Sequence, residues 1–529
     1  MSSNNTINNK IFFYLLLLLA AALPLSIFAT SFLQFALLLN WLIEGKYREK
    51  WHRLRSNRAF WVFLAFMLIH LLGMLWSSDI HYGLQDLKIK LPILVIPFVV
   101  VSSPGLHLEQ IRKILAAFIA GCLVGSMATV LALLNIIEVD MSDYRNASLF
   151  ISHIRFSLMI VLSIFFAAYM LFRRPASEHG FIKYLSLVAL VWLPVFMVIL
   201  RSLSGLVIIG VVFFIITLLL VRTVRDRAGR FMLLVMLITV PLFAIIYIGN
   251  SINRFYSFEQ VDPDELDSTT IEGNRYIHHV NNMETENGNF VWLYVSPKEL
   301  EREWGKVSEI PYKGKAENGD FIRFTLIRYL TSKGLRKDAV GVRQLDSIDI
   351  EAIENGIANH IYLNRFALYP RIYEVIWEFD RYRLGFSPND KSLVQRYYYL
   401  KAGLYIASEN LLYGVGTGDV RQSFINYYEQ SDSPLRLERR RRAHNQYLTL
   451  LIAFGIPGAL ICLAALLLPV FMRNLWSSYM VIIFILTMMI SMLDEDTLEN
   501  TPGAVMFGLF YALFIFGPSW KWRAYGKQD

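Results

Sequence analysis

The sequence predicts an all-α polytopic membrane protein with about 12 transmembrane helices and one large, mostly helical domain inserted before the tenth helix. Three observations predict this class. The chain has 529 residues, 55% of them hydrophobic, and a mean hydropathy of +0.42, which is more apolar than is usual for a soluble protein. The apolar residues form blocks about 20 residues long, enough to cross a bilayer. Basic residues cluster in short loops between these blocks, as they do on the cytoplasmic side of membrane proteins.

Twelve apolar blocks are candidates for membrane spans. The first block follows Lys10 and could be mistaken for a signal peptide, but a second block follows at once, which favours a helical hairpin. The fourth block is the weakest candidate because it is short and contains Pro92 and Pro97. The predicted spans are 11–28, 30–44, 60–76, 90–103, 112–138, 150–172, 184–200, 203–221, 231–249, 446–471, 476–493 and 503–518.

The charges of the loops predict the orientation. Lys46–Arg58 carries six Lys and Arg residues against one acid, so we expect it in the cytoplasm. Counting spans from this loop places three further basic segments on the same side, and acidic segments fall on the other side. Both termini are therefore predicted to be cytoplasmic. The further basic segments are Arg173–Lys183, Arg222–Arg230 and the tail with Lys521, Arg523 and Lys527, and the acidic ones are Asp140–Asp143 and Asp494–Glu499.

The same count places residues 250–443 outside the cytoplasm. This segment is polar, rich in Tyr and Arg, and too long to be a structureless loop in a compact protein, so we expect it to fold. The sequence thus predicts helices 1–9 in residues 1–249, an extracytoplasmic domain in 250–443, and helices 10–12 in 444–529. Helical pieces are predicted at 321–333, 346–355, 364–384 and 394–409, whereas 255–320 has the least pattern and is predicted as part strand or mobile loop.

Composition also argues against several functions. A net charge of +8 can indicate a nucleic-acid partner, but here the basic residues are better explained as topology signals. Cys122 and Cys462 both lie in apolar runs, so they predict neither a disulfide framework nor a cysteine metal site. The pair His278-His279 lacks further ligands at a useful spacing. We therefore expect no nucleic-acid partner and no metal.

The most informative motif is His444-Asn445, followed after nine residues by Gly455-Ile456-Pro457-Gly458. It lies where the extracytoplasmic domain re-enters the membrane, directly after Arg439-Arg440-Arg441-Arg442. A histidine at this boundary can act as a base or orient a hydroxyl because its ordinary pKa is near neutrality, and nearby arginines favour its neutral form. The alternative is a histidine that only anchors a helix at the interface.

Two arginines are further candidates. The apolar stretch 184–221 is too long for one span, so the chain must turn near Arg201, and an arginine inside a span usually has a partner or a role. Snorkelling to the interface is the alternative. Arg396 opens a predicted helix that ends near Gly414-Val415-Gly416-Thr417-Gly418-Asp419. Those glycines predict a tight turn whose backbone amides could face an anion, and no Lys-Ser/Thr follows as in a nucleotide-binding loop.

Asp494-Glu495-Asp496 has the form of the metal-binding motif of glycosyltransferases that use nucleotide sugars. Such donors are cytoplasmic, and this segment is predicted to be outside the cytoplasm. We therefore interpret the three acids as an ordinary acidic loop.

Together these motifs resemble the O-antigen ligase family, which is related to O-antigen polymerases and bacterial O-oligosaccharyltransferases. The resemblance is in His444-Asn445 with Gly455 and Gly458, in the turn at Arg201, and in Arg396 ahead of the glycines. The span count and the single large external loop agree with it. The resemblance covers most of the chain, and its motifs lie within about 195–460. It makes no prediction for residues 255–390.

The resemblance implies a multi-pass protein of the bacterial inner membrane with residues 250–443 in the periplasm. The implied donor is a glycan on undecaprenyl pyrophosphate, and the acceptor is a hydroxyl of lipid A–core or of another glycan or protein. Neither nucleotide nor metal is implied, and direct attack would invert the anomeric carbon. The implied catalytic residues are His444, Arg201 and Arg396, and the implied substrate-binding residues are Asn445, Arg442 and Arg441.

Other functions remain open at this stage. Within the family, a polymerase or a protein O-oligosaccharyltransferase would share the donor and the chemistry and differ only in the acceptor. A membrane transporter with an external domain is the alternative from another class, in which intramembrane charges would mark a substrate path. The sequence shows no matching pair of interrupted helices in two halves, as many transporters have. Sugar specificity and oligomeric state are not predicted.

Overall fold

A computed structural model describes residues 2–134, 136–137, 148–173, 180–258, 260–282, 284–364, 366–389 and 391–517. Over these residues the chain is mainly helical, and the one sheet within them is a two-stranded antiparallel hairpin. The acidic segment Asp140–Asp143, residues 174–179 and the basic tail predicted above lie outside the described residues.

The regular elements follow in chain order. The first helices are α1 (Ser2–Ala22), α2 (Ile27–Glu44), α3 (Tyr47–Ser56), α4 (Arg58–Leu72), α5 (Ile80–Ser102), α6 (Leu108–Leu133), α7 (His153–Phe172), α8 (Gly180–Ile199), α9 (Leu203–Thr223) and α10 (Arg227–Phe255). The middle of the chain forms β1 (Thr285–Glu286), β2 (Asn289–Phe290), α11 (Pro297–Val307), α12 (Ile322–Ser332), α13 (Ala339–Arg343), α14 (Ser347–Glu354), α15 (Tyr369–Arg383), α16 (Ser392–Glu409) and α17 (Val420–Gln430). The last helices are α18 (Gln446–Met472), α19 (Tyr479–Asp494) and α20 (Thr501–Tyr511), followed by a π-helical turn at Ala512–Phe516.

Each of the twelve predicted spans falls mostly on one of these helices, and the first span also extends across the turn after Ala22 to the start of α2. Among the described residues, eight helices are long and apolar enough to cross a membrane: α2, α4 with the turn that follows it, α6 to α10, and α18. The apolar parts of α1, α19 and α20 are shorter, and α5 carries charged residues in its first half. The all-helical, polytopic class is confirmed, and the number of spans stays a prediction.

The short helix α20 lies in the middle of the helical packing and is buried along its whole length. The ring of Phe510 contacts Phe118 of α6 and Phe166 of α7, with centroids 4.8 and 5.2 Å apart. Gly508 lets the backbone of α5 come close, because a Cβ there would lie 2.5 Å from the carbonyl oxygen of Pro92. Small residues at such contacts are typical of helices that pack within membranes.

The described residues divide into two compact units. One consists of residues within 1–238 and 381–529, and the other of residues 239–380. The second unit has its own apolar core, in which Trp304 of α11, Leu326 and Tyr329 of α12, and Ile353 of α14 are buried. A separate core of this kind is what an independently packed domain requires.

The predicted helical pieces correspond to α12, α14, α15 and α16, so helices were predicted correctly at all four places. Residues 255–320 contain the predicted strand as β1 and β2, and they also contain α11, which was not predicted. Pro297 at its first turn is a helix-start signal, but the apolar stripe of Leu300, Trp304 and Val307 covers only about two turns, which is too short to establish a helical period. The boundaries predicted after 249 and 443 refer to sides of the membrane and stay a prediction. By compactness, residues 381–443 belong to the same unit as residues 1–139 and 145–238.

Candidate active site

His444 lies in the short connection that leads into α18. Its backbone is left-handed, with φ of 50°, and the next residue, Asn445, caps the helix by accepting a hydrogen bond from the Leu448 backbone amide at 3.0 Å. The Asn445 side-chain amide also donates to the carbonyl oxygen of Leu493 at the end of α19, at 2.8 Å. A cap of this kind fixes where a helix begins. Asn445 therefore sets the position of His444 relative to the loop that follows α19.

The imidazole of His444 faces a carboxylate. Its Nδ1 atom lies 3.5 Å from Oε2 of Glu495, and its ring centroid lies 5.6 Å from that of Tyr399. Burial alone would raise the pKa of Glu495, but its hydrogen bond with His444, together with the positive charges of Arg396 and Arg155, outweighs burial and holds that pKa below its ordinary value. A charged carboxylate on Nδ1 orients the ring and leaves Nε2 as the atom that can take a proton.

Arg396, in the second turn of α16, binds the same acidic loop from the other side. Its Nη2 atom donates to Oε1 of Glu495 at 2.8 Å, and its Nη1 atom donates to the backbone oxygen of Asp494 at 3.0 Å and to the Asp494 carboxylate. One guanidinium fork thus spans two neighbouring acids. We call Arg396, His444, Asp494 and Glu495 the carboxylate–histidine site.

The predicted turn at Arg201 is confirmed, since α8 ends at Ile199 and α9 begins at Leu203. Arg201 is buried and has a left-handed backbone with φ of 52°. The hydroxyl of Ser204, in the first turn of α9, donates to the carboxylate of Asp494. This bond joins the turn that carries Arg201 to the carboxylate–histidine site.

The arginine run has members in different environments. Arg442 donates to the Tyr82 hydroxyl of α5 at 2.8 Å and lies 3.2 Å from the Glu499 carboxylate. Burial alone would lower the pKa of Arg442, but the charges of Glu499 and Asp496 outweigh it and raise that pKa. The side chain of Arg441 is exposed, while its backbone oxygen accepts from the Tyr428 hydroxyl at 2.7 Å. Arg442 is therefore held inside the protein, and Arg441 faces outward.

The acidic loop is the part of the site that sequence reasoning missed. It was interpreted as an ordinary acidic loop, yet Asp494 and Glu495 bind the predicted Arg396 and His444. Arg155, in the first turn of α7, was also missed, and its charge acts on Glu495 and Asp496. A signal was available, because a cluster of acids and a cluster of bases were predicted on the same side of the membrane. Spacing along the chain could not show that they meet.

A second group of charged side chains contacts the same acidic loop through Glu499. We call Asp86 and Lys90 of α5 together with Glu499 the Lys90 network. The ammonium of Lys90 is buried and donates to both oxygens of Asp86, at 2.7 and 2.6 Å, and to Glu499 at 2.8 Å. Gln446, the first residue of α18, donates to the other oxygen of Glu499 at 2.9 Å. The Lys90 network therefore ties α5 to the acidic loop and to the start of α18.

We expect Lys90→Met to destabilise the folded protein by about 3–5 kcal/mol, because removing one partner leaves buried carboxylates without their counter-charge. Thermal unfolding of the protein in detergent measures the effect as a lowered midpoint. Lys88→Met on the same helix is the matched control, since Lys88 is exposed. Equal midpoints for the two variants would show that the Lys90 network does not stabilise the fold.

The glycine turn and the glycine motif of α18 form one contact. Gly455 breaks α18 with φ of 64° and ψ of −173°, and the amides of Val415 and Gly416 donate to the Ile452 and Ala453 carbonyls exposed by the break, at 2.8 and 2.9 Å. The amide of Gly418 donates to the Ser77 hydroxyl at 2.8 Å. The predicted tight turn is confirmed, but the predicted anion role is wrong, because these amides are bonded within the protein.

We expect Gly455→Ala to destabilise the protein by about 1–3 kcal/mol, since this backbone conformation is essentially restricted to glycine. A Cβ at Gly455 would also lie 2.6 Å from the carbonyl oxygen of Leu411. The same thermal measurement applies, with Gly210→Ala of α9 as the control, because a Cβ at Gly210 meets nothing within 4 Å. A stable Gly455→Ala protein would mean that the break is not required.

The described residues contain no group of three or more His, Cys, Asp or Glu side chains that could hold a metal ion. His278 bonds the carbonyl oxygen of Asp267 at 3.0 Å, and His279 packs edge-on against Trp292 at 6.3 Å. Both histidines thus have protein partners. The chemistry available at the carboxylate–histidine site is that of a histidine, an arginine and two acids.

These features define a polytopic helical membrane protein with a histidine–arginine–carboxylate site at the start of α18. Residues 357–463 match the family described as O-antigen ligase. The matched residues include Arg396, the glycine turn, His444 and the break at Gly455. No curated protein matches the chain. The resemblance inferred from the motifs is confirmed, and it indicates a membrane glycosyltransferase of the O-antigen ligase or polymerase type.

Proposed function

We propose that the protein transfers a glycan from undecaprenyl pyrophosphate to a hydroxyl of lipid A–core at the periplasmic face of the inner membrane. The observation that carries this proposal is the contact of His444 and Arg396 with one carboxylate, Glu495. The proposed base, His444, and the proposed phosphate-binding cation, Arg396, thereby contact the two oxygens of the same carboxylate. Both belong to the segment that matches the O-antigen ligase family.

Arginine is the side chain suited to the donor's pyrophosphate, because its planar fork donates two parallel hydrogen bonds to phosphate oxygens. Arg396 is the first candidate, and the turn with Arg201 is joined to the same loop through Ser204 and Asp494. Arg155 adds a third positive charge near Glu495. In this proposal these cations stabilise the negative charge that develops on the leaving pyrophosphate.

The carboxylates impose a condition on donor binding. Both terminal nitrogens of Arg396 are bonded to Asp494 and Glu495. A pyrophosphate must therefore either use the remaining N–H groups of the guanidinium or replace a carboxylate oxygen. Glu495 still contacts His444 through its other oxygen. A carboxylate at this position stabilises the histidine while it takes up a proton.

The reaction follows from these positions. The acceptor hydroxyl gives its proton to Nε2 of His444 as its oxygen attacks the anomeric carbon. A new carbon–oxygen bond forms, and the bond from the anomeric carbon to the phosphate oxygen breaks with its electron pair going to undecaprenyl pyrophosphate. Direct attack inverts the anomeric configuration. The lipid-linked phosphate is already a good leaving group, so the proposal requires neither nucleotide nor metal, and no cofactor.

The cell offers a direct test. The gene is deleted in its host and restored as wild type or as His444→Ala, and surface lipopolysaccharide is compared with the lipid-linked glycan pool. We expect the variant to leave bare lipid A–core while long polymer accumulates on the lipid carrier. Single repeat units on the core would instead identify a polymerase. An unchanged profile with normal protein levels would contradict the role of His444 and favour protein glycosylation or transport.

A further inference from the structure

One helix near the site has apolar side chains on two opposite faces. On α16, Tyr397, Leu400 and Leu404 are 57, 41 and 55% exposed. These positions are three and four residues apart, so they lie on one side of the helix. The opposite side is buried and includes Tyr399 and Ala402. A helix that is apolar on a packed face and on an exposed face is typical of a protein surface that meets lipid.

The segment after α16 continues this surface. Leu411, Leu412 and Tyr413 are 44, 69 and 76% exposed. Leu411 lies against α18, since its carbonyl oxygen accepts from the Ile456 amide at 2.7 Å. Ile456 is itself 46% exposed on a helix long and apolar enough to span a membrane. The exposed apolar surface is therefore continuous with a predicted lipid-facing surface.

The length of α18 indicates the depth of this contact. Beyond the break at Gly455 the helix runs unbroken from Ile456 to Met472, a length of about 24 Å, whereas the hydrocarbon of a bilayer is about 30 Å thick. With Met472 at the cytoplasmic side, Ile456 lies about 24 Å across, near the outer boundary of the hydrocarbon. Leu411, Leu412 and Tyr413 then lie at the level where tyrosine and apolar side chains anchor proteins to the outer leaflet.

We propose that α16 and residues 411–413 lie in the outer-leaflet boundary, with Tyr397, Leu400, Leu404, Leu411, Leu412 and Tyr413 in contact with lipid. We call these six residues the interfacial face. Lys401 is exposed on the same side of α16 and can extend its charge to the headgroups. The occupant of this surface is the bilayer itself.

This position has a consequence for the donor, which rests on the proposed function. Arg396 precedes Tyr397 on α16 and reaches inward to Asp494 and Glu495. If the interfacial face lies in lipid, the guanidinium is at the depth of lipid phosphates. A polyprenyl pyrophosphate could then move from the bilayer to Arg396 without leaving the membrane boundary.

Site-directed spin labelling of the full chain in liposomes tests the proposal. Labels are placed singly by Leu404→Cys and Leu412→Cys in a variant in which the two native, buried cysteines are replaced by alanine. Leu460→Cys on α18 is the lipid-facing reference, and Arg421→Cys on α17 is the water-facing reference. We expect both test labels to resemble position 460, with high access to oxygen and low access to a water-soluble nickel chelate.

Nickel access like that at position 421, or protection from both reagents as in a protein–protein contact, would overturn the proposal. This readout is independent of glycan transfer, so its failure and that of the proposed function are distinguishable. A second variant, Leu404→Glu with Leu412→Glu, tests the donor route. We expect KM to rise about tenfold for a full-length undecaprenyl donor and to stay unchanged for a water-soluble short-prenyl donor. Equal losses with both donors would contradict the route.

Discussion

Arg396→Lys is expected to lower glycan transfer about 100-fold or more while the protein remains folded. The loss of a single preorganised donor to developing negative charge typically costs about 10²–10³ in rate. Lysine keeps the positive charge, but it cannot span two neighbouring groups as the guanidinium of Arg396 spans Asp494 and Glu495. The measurement is the initial rate of transfer by purified protein at saturating donor and acceptor.

Arg421→Lys is the control for Arg396→Lys, because Arg421 is exposed on the neighbouring helix α17. It should leave the rate unchanged. Wild-type activity in Arg396→Lys would remove the bidentate role of Arg396 from the mechanism. A variant that lost its folded structure would show a lowered thermal midpoint, and this distinguishes a structural loss from a catalytic one.

His444→Ala is expected to lower the transfer rate by about 10²–10⁴, the range that a positioned general base contributes. The residue has a left-handed backbone and a carboxylate partner, so the fold holds its ring in a particular direction. Glu495→Gln should cause a smaller loss, because glutamine can still contact Nδ1 but does not stabilise the protonated ring. The measurement is kcat for both variants, with thermal midpoints as the folding control.

The order of these effects distinguishes a base from an anchor. If His444 only anchored α18, substitution would lower stability and kcat would stay near that of the wild type. An equal kcat for His444→Ala and wild type would therefore support the anchoring alternative. Because the pKa of Glu495 is held below its ordinary value, its carboxylate should be charged throughout the neutral range and should not set the pH dependence there.

Much of the fold could be predicted from the sequence because the membrane demands long apolar helices. Each predicted span falls mostly on a helix, and the turn at Arg201 falls between α8 and α9. The elements that were harder to predict are stabilised by contacts with residues that are distant in sequence. Helix α5 begins ten residues before the predicted span at 90, because Asp86 and Lys90 satisfy each other and Glu499 inside the protein. A pattern of hydrophobicity does not predict such buried ion pairs.

The site could be predicted only in part for a related reason. His444 and Arg396 were recognisable from their chemistry and their surroundings, but their partners are distant in sequence. Arg396 and Asp494 are 98 positions apart along the chain, and no local periodicity relates them. The role of the glycine motif was likewise hidden, since Gly455 matters through its contact with Leu411 in another segment.

The proposed function requires that this chain alone can move a glycan from a lipid pyrophosphate to an acceptor. The most direct measurement uses purified protein in liposomes, supplied with an undecaprenyl-pyrophosphate-linked glycan and lipid A–core in the presence of a metal chelator and without nucleotide. We expect wild-type protein to form glycosylated lipid A–core and to release undecaprenyl pyrophosphate, and His444→Ala to do neither. Folded wild-type protein that forms no product under these conditions would contradict the proposed function.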